Sequence, residues 1–329
     1  MFYKPLVSFI VAVYNGECFI ENCLMSIFNQ TYKNLEIVIV DDCSYDSTNL
    51  IINNLSKNSN IRMIILKNSA NLGLTKSLNI AASYANGEWL ARLDADDLSK
   101  KDRIESQINF AIKNTQYSII GSSCNFIDEK GKHLFSKYYP SKHKQIKSTL
   151  EKAGAFFPHS SVIIRKDVFY KLGGYNNYMK YAQDFELWLR ALSKYKIFSI
   201  NEPLVSIRIH SQRISNHNKG NNQLIYSRAC LIAYWLSSDF LINSSIIYSN
   251  RNWNKFLNEI SIFIESNPYY LGRKSYSKIM REFNLKDFFH ILNYIFFNIK
   301  NIIFFIITFF INQELFLRKK SVIFKKLFD

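Results

Sequence analysis

Three aspartates stand within four positions of the sequence: Asp94, Asp96 and Asp97. They follow a short apolar run, residues 89–93, which has the length and composition of a buried strand. Carboxylates at the C-terminal end of a strand lie where open α/β sheets bind ligands. Because grouped acids repel one another, a divalent metal or an arginine must compensate their charge. Such oxygen ligands suit Mg²⁺ or Mn²⁺ together with a substrate phosphate, although an acidic turn that caps the next helix is the simpler interpretation.

Polar and aromatic residues also follow two other apolar runs of strand length, residues 7–13 and 35–40. In an open parallel sheet these strand ends neighbour the three aspartates, so one crevice would hold an aromatic ring, an amide and several carboxylates. A tyrosine can stack on a planar base, and an aspartate can accept a hydrogen bond from a base N–H group. Each residue alone has a simpler structural interpretation, but together they fit a nucleotide diphosphate that carries a transferable group. The candidates are Ala12, Tyr14, Asn15, Asp42 and Lys76.

The elements that must position these residues alternate between strand and helix through the first hundred positions. Continuous apolar runs predict strands covered on both faces, and apolar residues at helical spacing predict the helices between them. The alternation indicates a doubly wound α/β sheet with right-handed crossovers. Neither a GxGxxG sequence after the first strand nor a Walker A sequence is present. The predicted strands are residues 7–13, 35–40, 62–66 and 89–93, and the predicted helices are residues 17–29, 46–56 and 75–84.

Short strands and helices continue beyond residue 100, and the character of the chain changes near residue 217. Residues from about 220 onward are aromatic, basic and helical in pattern. We therefore predict an α/β domain over residues 1–217 and a helical C-terminal region over residues 218–329. In the second half of the α/β domain the predicted strands are residues 117–126, 133–138, 160–164, 197–200 and 204–209, and the predicted helices are residues 101–114, 142–152, 165–172 and 184–193.

Charge and cysteine content narrow the class of partner and the compartment. The 329 residues carry a formal charge of +16, which favours polyanionic partners such as nucleic acid, anionic membranes or phosphorylated substrates. The five cysteines are scattered and form no CxxC motif, which is typical of reduced thiols in the cytoplasm. The N-terminus leads directly into a strand, so we expect no secretory signal peptide.

An ordered set of motifs resembles glycosyltransferase family 2 over roughly residues 5–215. The principal motifs are VSFIVAVYNG at residues 7–16, EIVIVDDCSYDST at residues 36–48, ARLDADD at residues 91–97 and QDFELWLR at residues 183–190. No single motif is decisive, but their order and spacing are specific. The resemblance implies the GT-A fold, which is Rossmann-like with a mostly parallel central sheet flanked by helices. It also implies transfer of a sugar from a nucleotide donor with inversion.

The resemblance assigns donor and metal roles residue by residue. Asp94 and Asp96 match the DxD motif, which contacts the donor ribose and the metal-bound diphosphate. Asp97 is a further metal candidate, since the ligating acid varies among relatives. Asp42 matches the acid that binds the uracil of a UDP-sugar, and Tyr14 matches the residue that packs on that base.

The catalytic base implied by the resemblance is Asp184, in a motif whose preceding position is usually acidic and is Gln183 here. The base would deprotonate an acceptor hydroxyl, which attacks the anomeric carbon opposite the leaving nucleotide. The alternative role for Asp184 is structural: an aspartate at a helix N-terminus interacts favourably with the helix dipole. Arg208 and His210 resemble the family's RxH element, whose histidine ligates the metal in some relatives. The alternative is that His210 supports a metal ligand or packs in the core. His159 and Glu186 are candidates near the acceptor.

The C-terminal tail carries a separate signal in residues 291–311, which are strongly apolar. The polar residues that interrupt this stretch fall on one helical sector, which favours a helix in the membrane interface. A spanning helix and a helix packed against a second subunit remain alternatives. The basic residues that follow would attract anionic lipid: Arg318, Lys319, Lys320, Lys325 and Lys326.

The combined hypothesis is an inverting hexosyl- or N-acetylhexosaminyltransferase that uses a UDP-sugar and Mn²⁺ or Mg²⁺. Its expected acceptor is a saccharide or a lipid-linked saccharide in bacterial capsule, lipopolysaccharide or O-antigen synthesis. We expect a peripheral protein at the cytoplasmic face of the inner membrane, no nucleic-acid partner, and a homo-oligomer formed through the C-terminal helices. The rival hypotheses are a nucleotidyltransferase of similar fold and a non-catalytic sugar- or nucleic-acid-binding protein.

Overall fold

The computed structural model describes residues 3–153, 157–211, 213 and 217–238, and five positions between 253 and 261. The chain divides into two compact units. The first comprises residues 1–148 and 156–216, and the second comprises residues 149–155 and 217–329. The candidate site residues all belong to the first unit, so its strands and helices are what position them.

Four parallel strands form the first half of the central sheet, in the order β3-β2-β1-β4. Every residue of β1, β2 and β4 is buried, because helices cover both faces of a parallel sheet. These continuous apolar runs are the ones the sequence predicts as buried strands. The elements are β1 (Val7–Val13), α1 (Ile20–Phe28), β2 (Leu35–Asp41), α2 (Thr48–Lys57), β3 (Arg62–Lys67), α3 (Leu74–Tyr84) and β4 (Trp89–Arg92).

The second half of the sheet is mixed. Its strands extend the order through β8, β6, β9 and β5, while β7 pairs with β6 at the side. β8 is antiparallel to both β4 and β6, whereas β6 and β9 are parallel. The elements are β5 (Leu98–Ser99), α4 (Arg103–Lys113), β6 (Tyr117–Ile127), β7 (His133–Lys137), α5 (His143–Ala153), a 3-10 turn (His159–Ser161), β8 (Ile163–Arg165), α6 (Lys166–Lys171), α7 (Gln183–Leu192), β9 (Lys196–Arg208) and α8 (His217–Ser238).

The hydrophobic core lies between β1, β2 and β4 and the helices α1, α2 and α4. Phe9 and Ile37 are fully buried on neighbouring strands, and Leu24 and Ile104 face them from two helices. Burial of such side chains stabilises the fold by roughly 1.5–3 kcal/mol each. The core therefore holds the C-terminal ends of the strands, where the predicted site residues stand, on a rigid support.

Three strand predictions are wrong in detail. Residues 197–200 and 204–209 form one strand, β9, because register shifts against β6 accommodate Pro203 without ending the pairing. The predicted strand at residues 160–164 begins as a 3-10 turn and becomes β8 only at Ile163. The two-residue strand β5 is not predicted from sequence, because it forms only through pairing with β9.

In the second unit, α8 is the longest helix among the residues that the structure describes. The Tyr234 hydroxyl donates a hydrogen bond to Glu151 Oε1 over 2.9 Å, and the Tyr226 and Trp253 rings pack edge to face. Within the described part of the chain, no helix combines the length and apolar character needed to span a bilayer. The predicted apolar tail at residues 291–311 lies outside the described residues.

Candidate active site

The loop between β4 and β5 turns two of its three aspartates outward and one inward. The side chains of Asp94 and Asp96 are 35% and 30% exposed, respectively. Asp97 is buried: its Oδ1 accepts a hydrogen bond from the Arg208 backbone N–H (3.0 Å), and its Oδ2 lies 2.5 Å from Ser160 Oγ. Asp94 and Asp96 are thus accessible to a ligand, whereas Asp97 fastens the loop to the protein.

The charge states of the two ends of this loop diverge. Burial raises the pKa of Asp97 well above its usual value, and the negative charges of Asp96 and Asp94 raise it further. Burial also opposes ionisation of Asp94, but the adjacent Arg92 guanidinium, together with His159 and Ser160, outweighs that effect and lowers the pKa of Asp94. The outward Asp94 therefore ionises more readily than the inward Asp97.

The Arg208 and His210 side chains hold Asp96 from the end of β9. His210 Nε2 lies 2.8 Å from Asp96 Oδ2, and Arg208 Nε donates to the Asp96 carbonyl over 3.0 Å. The Phe19 ring lies against both: its centroid is 4.7 Å from the His210 ring and 5.0 Å from the Arg208 guanidinium carbon. Arg208 Nη1 also donates to the Glu129 carbonyl (2.7 Å), which ties the β6–β7 turn to the acidic loop.

Asp42 follows β2 and is buried against the loop that leads into α3. Its carboxylate accepts hydrogen bonds from the Asn68 side-chain amide (2.7 Å) and from the backbone N–H groups of Leu72 and Gly73 (2.8 Å each). A carboxylate offers about four lone-pair sites, and these donors occupy three of them. Lys76 is exposed in the first turn of α3, directly beyond this loop.

The loops after β1 and β2 carry the aromatic surface. Tyr14 is 47% exposed, and its ring meets Tyr45 edge to face at 6.1 Å. The Asn15 N–H donates to Ser44 Oγ over 2.9 Å, and Asn15 Oδ1 accepts from the Tyr45 N–H over 3.2 Å. Ala12 is buried within β1, so only its backbone can take part in the site. The two loops present a tyrosine pair that a planar base could contact.

Asp184 lies in the first turn of α7, after Ala182, whose backbone has a left-handed φ of 56°. It is partly buried, and burial raises its pKa. The charge of Asp94 raises that pKa further, whereas the Phe185 backbone N–H group and Arg92 oppose the rise. The helix N-cap is Ala182, so Asp184 is not the cap residue. A carboxylate with a raised pKa is better suited to accept a proton.

The residues predicted to lie near the acceptor are buried, and two of them contact neighbouring side chains. His159 is buried, with Nε2 2.7 Å from the Tyr175 hydroxyl, and burial lowers its pKa well below the usual value, an effect that Arg92 strengthens. Glu186 is buried in a bidentate pair with Arg190, which also donates to the Gly174 carbonyl. These contacts hold α7, and thereby Asp184, against the turn that precedes it. Gln183 is buried at the start of α7.

The residues predicted as metal ligands form an incomplete shell. Asp96 and His210 lie together, and Asp94 is exposed two positions earlier. Among the residues that the structure describes, no three His, Cys, Asp or Glu side chains form a group able to hold a metal ion by themselves. Mg²⁺ and related cations commonly use one or two carboxylates and take their other ligands from substrate phosphates and water. The residues present therefore fit a cation that is bound jointly with a diphosphate.

A family model described as glycosyl transferase family 2 matches residues 8–173, just over half of the chain. The chain belongs to this family. An uncharacterized glycosyltransferase of Haemophilus influenzae is 32% identical over 78% of this chain and 84% of its own length. Another from Methanocaldococcus jannaschii is 30% identical over 79% of this chain and 88% of its own length. The resemblance inferred from the motifs is confirmed, and it favours glycosyl transfer over the rival hypotheses.

Solved structures show that this glycosyltransferase has the predicted GT-A fold. The Staphylococcus aureus TarS fragment 1–349 in complex with UDP-GlcNAc aligns with a TM-score of 0.60 and 17% identity, covering 88% of this chain and 79% of that one. The mannosyltransferase PcManGT of Pyrobaculum calidifontis, in complex with GDP-Man and Mn²⁺, aligns with a TM-score of 0.52 and 18% identity, covering 85% and 74%. At this identity the likeness establishes the fold class.

Several residues of the glycosyltransferase site are not predicted from its sequence. Phe19 reads as an inward helical residue but packs on Arg208 and His210. Ser160 and Arg92 both contact the Asp94 carboxylate. A usable signal exists only for Arg92, which is a charged residue inside an apolar strand run two positions before an aspartate. The others are brought in by tertiary packing.

Proposed function

We propose that this glycosyltransferase is an inverting, metal-dependent enzyme that moves a sugar from a UDP-sugar to a hydroxyl of a saccharide or lipid-linked acceptor. One observation carries the proposal. Asp184, with its raised pKa, lies within electrostatic reach of Asp94, on the same edge of the sheet as the exposed Asp96. In this proposal Asp184 serves the acceptor, and Asp94 and Asp96 serve the donor diphosphate.

The donor assignment rests on the loops after β1 and β2. Tyr14 offers an exposed ring to a base, and Asp42 supplies a carboxylate acceptor in the neighbouring loop. The structurally similar TarS fragment binds UDP-GlcNAc, whereas PcManGT binds GDP-Man. A uracil N–H group suits a single carboxylate acceptor, which favours UDP.

Asp96 and His210 are the residues that would hold a divalent cation, with Asp94 beside them. The fold neighbour PcManGT contains Mn²⁺ together with its nucleotide-sugar. A bound cation would stabilise the negative charge of the departing diphosphate. Arg208 and Phe19 contact this pair of residues, which supports a common role for Asp96 and His210.

The reaction step follows from the position of Asp184. Its carboxylate accepts the proton of the acceptor hydroxyl while the hydroxyl oxygen forms a bond to the anomeric carbon. The bond from that carbon to the diphosphate oxygen breaks, and its electron pair leaves with the nucleotide. Attack from the face opposite the leaving group inverts the anomeric configuration. The raised pKa of Asp184 makes it a stronger base than an ordinary aspartate.

We further propose a role in bacterial surface-polysaccharide synthesis, with the C-terminal region binding the cytoplasmic face of the membrane. The charge of +16 and the apolar, basic tail support this location. Removal of residues from 285 onward should shift the protein from the membrane fraction to the soluble fraction. If the truncated chain remains with lipid, the membrane contact lies elsewhere; if the full chain needs no detergent, packing against a second subunit is the better account.

A screen of nucleotide-sugars tests the proposed function. The full chain should hydrolyse one or more UDP-sugars slowly in the presence of Mn²⁺ or Mg²⁺, and chelation should abolish the hydrolysis. Asp184→Asn and Asp96→Ala serve as paired controls, because the first should retain donor binding and the second should lose it. Absence of metal-dependent turnover and binding across UDP-, GDP- and other nucleotide-sugars would overturn the proposal.

A further inference from the structure

Arg92 is a fully enclosed cation at the end of β4 with an incomplete set of partners. It is 2% exposed, and its Nη2 group donates to Asp94 Oδ1. Among the described residues, its Nε and Nη1 groups have no hydrogen-bond partner. Burial of a charged group with unpaired donors is costly, so a single strong contact must account for its presence.

That contact is one arm of a two-point clamp on Asp94. Arg92 holds Oδ1, and the Ser160 hydroxyl lies 2.8 Å from Oδ2. The Asp94 backbone N–H also donates to Ser160 Oγ over 3.1 Å, which fixes the main chain at the same place. The carboxylate therefore keeps one orientation, although 35% of the side chain is exposed.

We propose that Arg92 is a positioning residue that fixes the Asp94 carboxylate in the orientation in which it receives the nucleotide-sugar. This inference rests on the proposed donor role of Asp94 and names a residue that acts through it. An unclamped aspartate would lose rotamer freedom when the donor binds, whereas the clamped side chain is already ordered. Charged hydrogen bonds of this kind are the strong ones, and the planar guanidinium suits a carboxylate better than an ammonium group does.

A second buried arginine provides a matched control. Arg103 is 0% exposed and lies close enough to Arg92 for the two charges to interact. It donates to Gln107 Oε1 and to the backbone carbonyls of Arg92 and Val162, and to no carboxylate among the residues that the structure describes. Its contacts hold strands and helix together, so a substitution at Arg103 measures what the loss of a buried arginine does to the fold alone.

The experiment compares Arg92→Lys, Arg92→Gln and Arg103→Lys in the full chain by titration calorimetry with UDP and MnCl₂, and by thermal melting. Both positions should lower the melting temperature. Only the Arg92 variants should weaken UDP binding: at least about tenfold for Arg92→Gln, and less for Arg92→Lys, which keeps the charge but lacks the planar fork. If Arg92→Gln does not fold, Arg92→Lys and Ser160→Ala, which removes the other arm, carry the comparison.

A double variant shows whether Arg92 acts through Asp94. Arg92→Gln combined with Asp94→Ala should bind UDP no more weakly than Asp94→Ala alone, because no side chain is then left for Arg92 to orient. Additive losses, or Arg92 variants that bind within about twofold of wild type, would overturn the positioning role while leaving the proposed function intact. A wild-type chain that binds no nucleotide at all would instead refute the donor assignment on which both rest.

Discussion

Carboxylates lie at both ends of the parallel strands, which are called here the two edges of the central sheet, and their surroundings differ. Glu36 lies near the start of β2, at the edge opposite the active site, and is 1% exposed. Its oxygens accept hydrogen bonds from the Ser8 hydroxyl (2.6 Å) and from the Asn86 backbone and side-chain N–H groups (2.5 and 3.1 Å), and Arg62 lies 3.8 Å away. At the other edge, Asp94, Asp96 and Asp184 are partly open to solvent.

The difference distinguishes a carboxylate that holds the fold from one that is kept for a ligand. Burial opposes ionisation of Glu36, but the hydrogen bonds from Ser8 and Asn86 outweigh it, so its pKa is lowered. Burial raises the pKa of Asp184, and the backbone N–H groups and Arg92 do not offset the rise. The surroundings of Glu36 thus favour its ionised form, whereas those of Asp184 disfavour it. A raised carboxylate pKa at the C-terminal ends of the strands indicates function.

Asp184→Asn should give the largest effect, because an amide keeps the shape of the side chain but cannot accept a proton. Sugar transfer should fall by at least about 100-fold, with UDP affinity nearly unchanged. Rates, UDP affinity and melting temperature should be measured on this variant and on Glu36→Gln, which should transfer normally once folded. If transfer is near normal and the free energy of unfolding falls by about 1 kcal/mol, the size of one lost contact at a helix end, Asp184 has a structural role.

Asp96→Ala should reduce donor binding strongly while leaving the fold intact. The side chain is 30% exposed and contributes little packing, but it carries the proposed metal contact. We expect UDP affinity in Mn²⁺ to fall by about 10- to 100-fold, as is typical when a metal site is impaired. Asp167→Ala on α6 is the control, since that carboxylate pairs with Arg165 and Lys171 on the surface. Unchanged UDP affinity in Asp96→Ala would exclude Asp96 from the site.

Glu36→Ala should have the converse phenotype. It leaves the buried Ser8 hydroxyl without its acceptor and removes the hydrogen bonds from Asn86, so the free energy of unfolding should fall by about 1–3 kcal/mol. UDP affinity of the folded variant should match wild type. Urea denaturation and calorimetry on one preparation separate the two quantities. A stable Glu36→Ala protein with weakened UDP binding would erase the distinction between the two edges of the sheet.

Activity should be lost at a higher pH than the folded structure, which is the smallest of the expected effects. The pKa of Glu36 is lowered, so its stabilising contribution is present above its unfolded pKa and is lost only as pH falls through the folded value. The pKa of Asp184 is raised, so the base becomes protonated at a higher pH. Between the two values the protein should be folded but inactive, and neutralisation should restore transfer. Loss of activity and of folded signal at one common pH would contradict this expectation.

The sequence predicts the four strands of the first half of the sheet to within one residue, because buried parallel strands are continuous apolar runs with turn residues at each end. β9 is predicted as two strands, since Pro203 breaks the pattern and the register shift that accommodates it lies in the pairing with β6. β5 has two residues and no periodicity of its own. Pairing between strands that are distant in sequence determines both, and a local pattern does not contain that information.

The outward acids of the site could be predicted, because residue type and position at a strand end suffice for Asp94 and Asp96. Their support could not. Ser160 is 66 residues from Asp94 in the chain, and only the tertiary fold brings its hydroxyl to the Asp94 carboxylate. The inward orientation of Asp97 could not be predicted either, because the sequence does not distinguish it from the two neighbouring aspartates. Only the fold brings Asp97 to the Arg208 backbone N–H group.

The loops after β1 and β2 are laced together by hydrogen bonds that run in both directions. Besides the contacts between Asn15 and the second loop, the Gly16 N–H donates to Thr48 Oγ1 and the Ser47 N–H donates to Glu17 Oε2. Neither loop can open without breaking bonds of the other, so the two form one cooperative unit of local unfolding. The amide protons in these bonds should report a common free energy of opening, and a base stacked on Tyr14 would raise it for all of them.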